Sequence, residues 1–394
     1  MKIVQFGLRY SPNVGDGIIS DCLSHACRKL HPGCEVSTVD LSGRGGFGQQ
    51  TVRNRGLALR VLRTLPSGLR QRVVMSRLNA MLDRVEPDWL AAAEGADLAI
   101  LGGGQIFSDA DLNFCVKIAR AAGVLHRQQV PVVIHAAGVS RNWSAKGSAL
   151  FHEVFRTDLR AIGLRDDPSL SAWRDQVYDE HPNPHLTRDP GLLAAGCYGP
   201  AQSPTGRIGL CVTTPEILTY HADSAVAGVT TRGVAFFADV AHALIQKGER
   251  VTLFCNGAHE DRAALQDLAT RPGIAVHIAN GAVNVATPPV TPADLAAIIS
   301  GCRGVITHRL HACIVAYAYK IPMVGLGWDR KVSSFFASVQ SDRFFVGSPD
   351  TGADVVAALA QEAIQTGIDP AQHAKAVDET LRAVADALVN GSRP

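Results

Sequence analysis

The sequence has no low-complexity tract, no apolar run long enough to cross a bilayer, and no pair of cysteines in CxxC spacing. Those absences argue against a low-complexity protein, a membrane-spanning one and the commonest zinc and thiol-redox motifs. Charge of one sign is missing in bulk as well. The formal net charge is +2 over 394 residues, so no nucleic-acid partner is expected and any basic function must be local. The opening "MKIVQF" lacks the apolar core and small-residue cleavage site of a signal peptide and reads as a first β-strand, so cytoplasmic residence is the expectation. Of the nine cysteines, Cys22, Cys27, Cys211, Cys255 and Cys302 lie within apolar runs, where thiols behave as small hydrophobes; reduced thiols are expected, with neither disulfides nor a metal site.

Short apolar strands alternating with helical patterns fill most of the chain. "KIVQF" precedes a helix around Asp16 to Leu30, whose apolar positions keep a 3.6-residue period. "DLAIL" runs into Gly102, Gly103 and Gly104, "PVVIHAAG" is another buried strand, and "RAIGL" a fourth. From Arg207 the pattern restarts with "RIGLCV", a helix from about Val234 to Lys247, "RVTLFC", a weaker strand at "IAVHI", a helix from Pro292 to Cys302, "GVIT", a helix from Leu310 to Tyr319 and "PMVGLG". The stretch "CYGPAQSPTGR", Cys197 to Arg207, is rich in Gly, Pro and Ser and reads as a linker. The expectation is an α/β protein of two Rossmann-like, doubly wound parallel-sheet domains, residues 1–200 and 201–394, facing a central cleft.

In such sheets ligands meet the residues just after the strands. Here those positions carry "NVGD" with Asn13 and Asp16, the three glycines, Arg165-Asp166, "NGAHEDR" with His259, Glu260 and Asp261, then His308, Arg309 and His311, and finally "WDRK" with Lys331. Arg165, Arg309 and Lys331 suit a ligand bearing carboxylate and phosphate, with the amino end of the Leu310 helix adding its dipole. Each residue also has a plainer use. Arg165 beside Asp166 fits a local ion pair, Lys331 a solvated side chain, Asp16 and Asn13 a helix start and its turn, and Asp189-Pro190 an extended corner.

The motifs "NVGD", "LGGGQIFSD", "GLRDDPS", "RDPGLL", "THRLHA" and "GWDRKV", in this order across roughly residues 10 to 335, together resemble the polysaccharide pyruvyl transferase family. The resemblance implies a GT-B-like fold and transfer of the enolpyruvyl unit of phosphoenolpyruvate to a sugar as a cyclic pyruvate ketal, phosphoenolpyruvate being a co-substrate and no cofactor being needed. It implies donor contacts from Arg165, Arg309 and Lys331 and His311 as the catalytic imidazole; His308, in the same turn, is a further donor-side candidate. His135-Ala136-Ala137-Gly138 departs from the Gln-Gly or Gln-Ser pair of many relatives, a difference that bears on the acceptor.

The chemistry agrees with the residue types. Ketal formation needs a proton for C3 of the donor and cations for its carboxylate and departing phosphate, and an imidazole titrates near working pH. A base for the sugar hydroxyl is expected from Asp16 or from the His259, Glu260, Asp261 group, on the acceptor side with Asn13 and the three glycines. Between Leu41 and Leu82 the sequence carries Arg44, Arg53, Arg55, Arg60, Arg63, Arg70, Arg72 and Arg77 without one acid. This segment suits either a solvated face or contact with anionic lipid or a lipid-linked oligosaccharide at the inner face of a membrane. Two other functions use the same features: a GT-B glycosyltransferase with a nucleotide-sugar on Arg309 and Lys331, and a non-catalytic glycan- or anion-binding protein.

Overall fold

A computed structural model describes residues 1–48, 67–178, 182–214 and 233–392. The chain forms two compact units, one of Met1–Ser11, Leu23–Arg188 and Arg382–Pro394, the other of Pro12–Cys22 and Asp189–Leu381. The division is not the linear one read from the sequence. The Val14–Leu30 and Pro370–Gly391 helices each supply residues to both units, and the change of unit falls at Asp189 rather than in the Gly/Pro-rich stretch that follows.

In the first unit, β1 (Lys2–Gly7), β2 (Glu35–Asp40), β3 (Leu98–Phe107), β4 (Pro131–Val139), β5 (Asp158–Leu164) and β6 (Pro184–Leu186) make one parallel sheet in the order β2-β1-β3-β4-β5-β6. Strands β3 and β4 are buried almost throughout, as continuous apolar runs in a doubly covered parallel sheet should be. The three glycines lie inside β3, not in a turn after it: Gly102 pairs with His135 and Gly104 with Ala137. A Cβ on Gly102 would stand 1.9 Å from the His135 carbonyl oxygen, so this glycine permits close approach of the neighbouring strand.

Of the arginine-rich stretch, Arg53, Arg55, Arg60 and Arg63 lie outside the described residues. Its end joins the Ser67–Ala93 helix, where Arg72 and Arg77 are exposed while Leu78, Leu82 and Trp89 enter the core of the first unit. Among the described residues no helix is long and apolar enough to cross a membrane.

The second unit repeats the architecture. Strands β7 (Ile208–Cys211), β8 (Val251–Phe254), β9 (Val283–Val285), β10 (Gly304–Thr307), β11 (Met323–Leu326) and β12 (Phe345–Val346) run parallel in the order β12-β11-β10-β7-β8-β9. "IAVHI" is not a strand. Pro272 opens a helix there, Pro272–Ala279, because its fixed φ and missing N–H suit a first helical position; Ile274 is buried, Val276 is exposed, and the strand follows at β9.

Candidate active site

The turn between β10 and the Leu310–Ala318 helix lies in the second unit. Thr307 shapes it: its Oγ1 accepts from the Arg309 N–H at 2.8 Å, holding Arg309 in an extended conformation at the N-cap. The side chain of its N-cap residue, Arg309, makes no cap hydrogen bond to the first N–H groups of the helix.

Arg309 is buried and meets Asp261, whose Oδ1 and Oδ2 accept from Nη2 at 2.7 and 2.6 Å. Burial opposes the guanidinium charge, but the attraction and hydrogen bonds of Asp261 more than offset it, and the pKa is raised. Asp261 has 0% exposure and also accepts from Thr213 Oγ1 at 2.6 Å, so its carboxylate is spent on fixing Arg309 and is not a base open to a sugar. The buried Nε of Arg309 has no hydrogen-bond partner among the described residues. His259 and Glu260 occupy the first turn of the same His259–Thr270 helix, exposed and half-buried respectively.

In the first turn of the Leu310–Ala318 helix, His311 lies between two carboxylates. Asp16 Oδ1 is 3.5 Å from Nδ1, and Asp189 Oδ2 is 3.8 Å from Nε2. Asp16 comes on Pro12–Cys22, a segment of the second unit although it lies within the residues 1–200 read from the sequence as the first domain. It is steadied by Asn13, whose Nδ2 donates to its Oδ1 at 3.3 Å, and Asn13 in turn accepts from Asn256 Nδ2 at 3.2 Å. Gly15 makes the approach possible, since a Cβ there would stand 2.8 Å from the Cβ of His311.

His308 is a different kind of residue. It is 1% exposed, its ring packs edge-on to Phe237, and Nδ1 meets the Leu326 carbonyl at 3.0 Å, tying β10 to the end of β11. Burial on that tie makes it a poor donor contact. Lys331 lies over the Trp328 ring at 4.3 Å and 3.4 Å from Asp329 Oδ2, and Trp328 donates through Nε1 to the His308 carbonyl at 2.6 Å. Lys331 is therefore joined to the Arg309 turn through an indole.

Arg165 belongs to the first unit. Its Nε donates to Asp166 Oδ2 at 3.3 Å, and its guanidinium lies against Gly138, where a Cβ would be 3.0 Å from Nη2. Asp166 also caps the Asp167–Arg174 helix, its Oδ1 accepting from Ser169 N–H at 2.8 Å, so the plainer ion-pair reading of Arg165 is present. Sequence reasoning passed over Asn256, Trp328 and Asp189 as site residues. Asn256 is the second residue after β8 and Asp189 the third after β6, and the same strand-end rule would have found both. Among the described residues, no group of three or more His, Cys, Asp or Glu is arranged to hold a metal ion.

The comparisons with known proteins agree with this architecture. The solved structure of UDP-GlcNAc 2-epimerase from Methanocaldococcus jannaschii superposes with a TM-score of 0.55 at 9% identity, over 99% of this chain and 100% of that one. A putative UDP-N-acetylglucosamine 2-epimerase from Listeria monocytogenes gives 0.54 at 13%, over 99% and 95%, and a UDP-glucosyltransferase from Polygonum tinctorium gives 0.51 at 10%, over 100% and 99%. At such identities the likeness is one of fold, and the fold is α/β, two-domain and GT-B-like. No curated protein matches the sequence. The family model described as polysaccharide pyruvyl transferase matches residues 13–330, from the start of "NVGD" to Arg330 within "GWDRKV", and the chain belongs to that family.

Proposed function

We propose that the protein transfers the enolpyruvyl unit of phosphoenolpyruvate to a sugar of a cell-surface polysaccharide or its lipid-linked precursor, forming a pyruvate ketal and releasing phosphate. The observation that carries this reading is the pairing, at one helix start, of an imidazole flanked by carboxylates with an arginine held rigid by a buried one. That is a proton donor beside an anion seat.

In this scheme His311 gives a proton to C3, which becomes a methyl group. A sugar hydroxyl adds to C2 and loses its proton to a base, for which Asp16 is the candidate, half-buried beside the imidazole. The C2–O bond to phosphate breaks, a second hydroxyl closes on C2, and its proton leaves with phosphate or solvent. Arg309, through the edge not taken by Asp261, and Lys331 hold donor charge. With a lipid-linked acceptor the reaction sits at the inner face of a membrane, and the exposed Arg72 and Arg77 belong to the surface that touches it.

The test is incubation with phosphoenolpyruvate and a panel of α- and β-galactosides, glucosides and mannosides, reading phosphate release and the mass of the sugar. Ketal formation on one of them is expected. Calorimetric binding of a nucleotide-sugar but not of phosphoenolpyruvate would overturn the reading in favour of glycosyl transfer. His311→Ala should lower kcat by roughly two to four orders of magnitude, the span of a positioned acid, with a much smaller change in donor KM.

A further inference from the structure

The two ring nitrogens of His311 face unequal surroundings. Nε2 is buried, makes no hydrogen bond among the described residues, and looks toward Asp189, whose side chain is 3% exposed. Nδ1 looks toward Asp16, whose side chain is 21% exposed, and toward Gly15, where a Cβ would stand 3.0 Å from it. The Nε2 edge is thus closed, and the Nδ1 edge faces the more exposed of the two carboxylates.

Asp189 is also the better fixed of the two carboxylates. Its Oδ1 accepts from the Gly191 N–H at 2.9 Å, Pro190 sets the turn, and a Cβ on Gly191 would meet Ile314 Cγ2 at 3.0 Å. Ile314 is three residues beyond His311 on the same helix, hence on the same face. The loop that holds the carboxylate is therefore braced against the helix that holds the imidazole.

We propose that Asp189 is the positioning residue of the site: it keeps a hydrogen on Nε2 of His311 and so makes Nδ1 the nitrogen that delivers the proton. This rests on the pyruvyl-transfer reading for its role in turnover. In the step itself the Nδ1–H bond breaks as the C3–H bond forms. The hydrogen on Nε2 stays, directed at Asp189, which takes up no proton and stabilises the imidazolium before transfer and the Nε2–H tautomer after it. Asp16, beside Nδ1, is left for the sugar hydroxyl.

Asp189→Asn tests this because the amide oxygen can still accept from Gly191 while its NH2 group, turned to Nε2, favours the opposite tautomer. A kcat lower by roughly 10²- to 10³-fold is expected, with phosphoenolpyruvate KM changed less than about threefold and melting unchanged. In a His311→Ala background the same substitution should cost nothing further, since it acts through the ring. Nitrogen-15 NMR of the histidine rings, assigned by difference with His311→Ala, should show the Nε2–H tautomer in the native protein and its loss in Asp189→Asn. Near-normal kcat, a loss additive with His311→Ala, or a native ring protonated only on Nδ1 would overturn the proposal. Should Asp189→Asn fail to fold, Asp189→Glu, which keeps the charge, and the native spectrum decide. The tautomer is read without turnover, so failure of pyruvyl transfer is distinguishable from failure of this assignment.

Discussion

The middles of β3 and β4 in the first unit and the end of β10 in the second are similar in sequence, each an apolar run giving way to glycine, histidine or arginine, yet they use those residues for opposite purposes. In the first unit the glycines remove volume: Gly102 lies under the His135 carbonyl, and the strands close on each other. In the second unit the residues after the strand place charge, with Arg309 against Asp261 and His311 between Asp16 and Asp189. Glycine is needed there too, but one helix away, at Gly15, so that Asp16 can approach the ring. A residue type after a strand therefore tells where a site can be, and its neighbours from distant sequence tell whether one is built.

The strongest way to break this contrast is to unbalance the charged end. Asp261→Ala leaves Arg309 buried without its carboxylate, and a loss of about 3–5 kcal/mol in unfolding free energy is expected. Chemical denaturation measures it. A loss below about 1 kcal/mol would mean that water reaches the guanidinium and that the pair is less confined than its burial indicates.

Next in size is the exchange of roles between glycines. Gly102→Ala puts a methyl group into backbone and should cost about 1–3 kcal/mol, read as a lowered Tm. Gly15→Ala presses on a side chain instead, so the expected outcome is a smaller stability loss and a kcat lower by about tenfold from a displaced proton donor, a misplacement effect. If both variants lose only stability, Gly15 serves packing alone and the second unit's strand end is no different in kind from the first's.

Both sheets were legible because buried parallel strands are near-continuous apolar runs, and β1, β3, β4, β7, β8, β10 and β11 announce themselves that way. "IAVHI" misleads because five residues of mixed size fit either period, and the deciding feature, Pro272, stands just outside them. The positions of Arg309, His311 and Lys331 were legible from the strand-end rule. Their partners were not: Asp261 is 48 residues from Arg309, Asp189 reaches His311 from before β7, and Asp16 arrives on a segment that leaves the first unit for the second. Linear patterns carry periodicity, whereas these pairings depend on how elements stack. The same blindness makes His308 and His311 look alike.

That likeness supplies the smallest and most discriminating prediction. His308 and His311 are three residues apart, both nearly buried, and either could be assigned the proton-donor role from sequence. Their contacts separate them. His308 holds the Leu326 carbonyl through Nδ1 and packs on Phe237, while its own carbonyl accepts from Trp328, so its side chain knits the end of β10 to β11 and its backbone to the chain after β11. His308→Gln keeps an N–H donor of similar reach but gives up the ring contact, and a stability loss of about 1 kcal/mol is expected, the scale of one hydrogen bond. Because Trp328 lies under Lys331, the loosening should pass to the lysine and raise phosphoenolpyruvate KM about twofold to threefold, leaving kcat within the same range. A His308→Gln protein that melts normally but turns over a hundred times more slowly would transfer the proton-donor role to His308 and leave His311 the structural one of the pair.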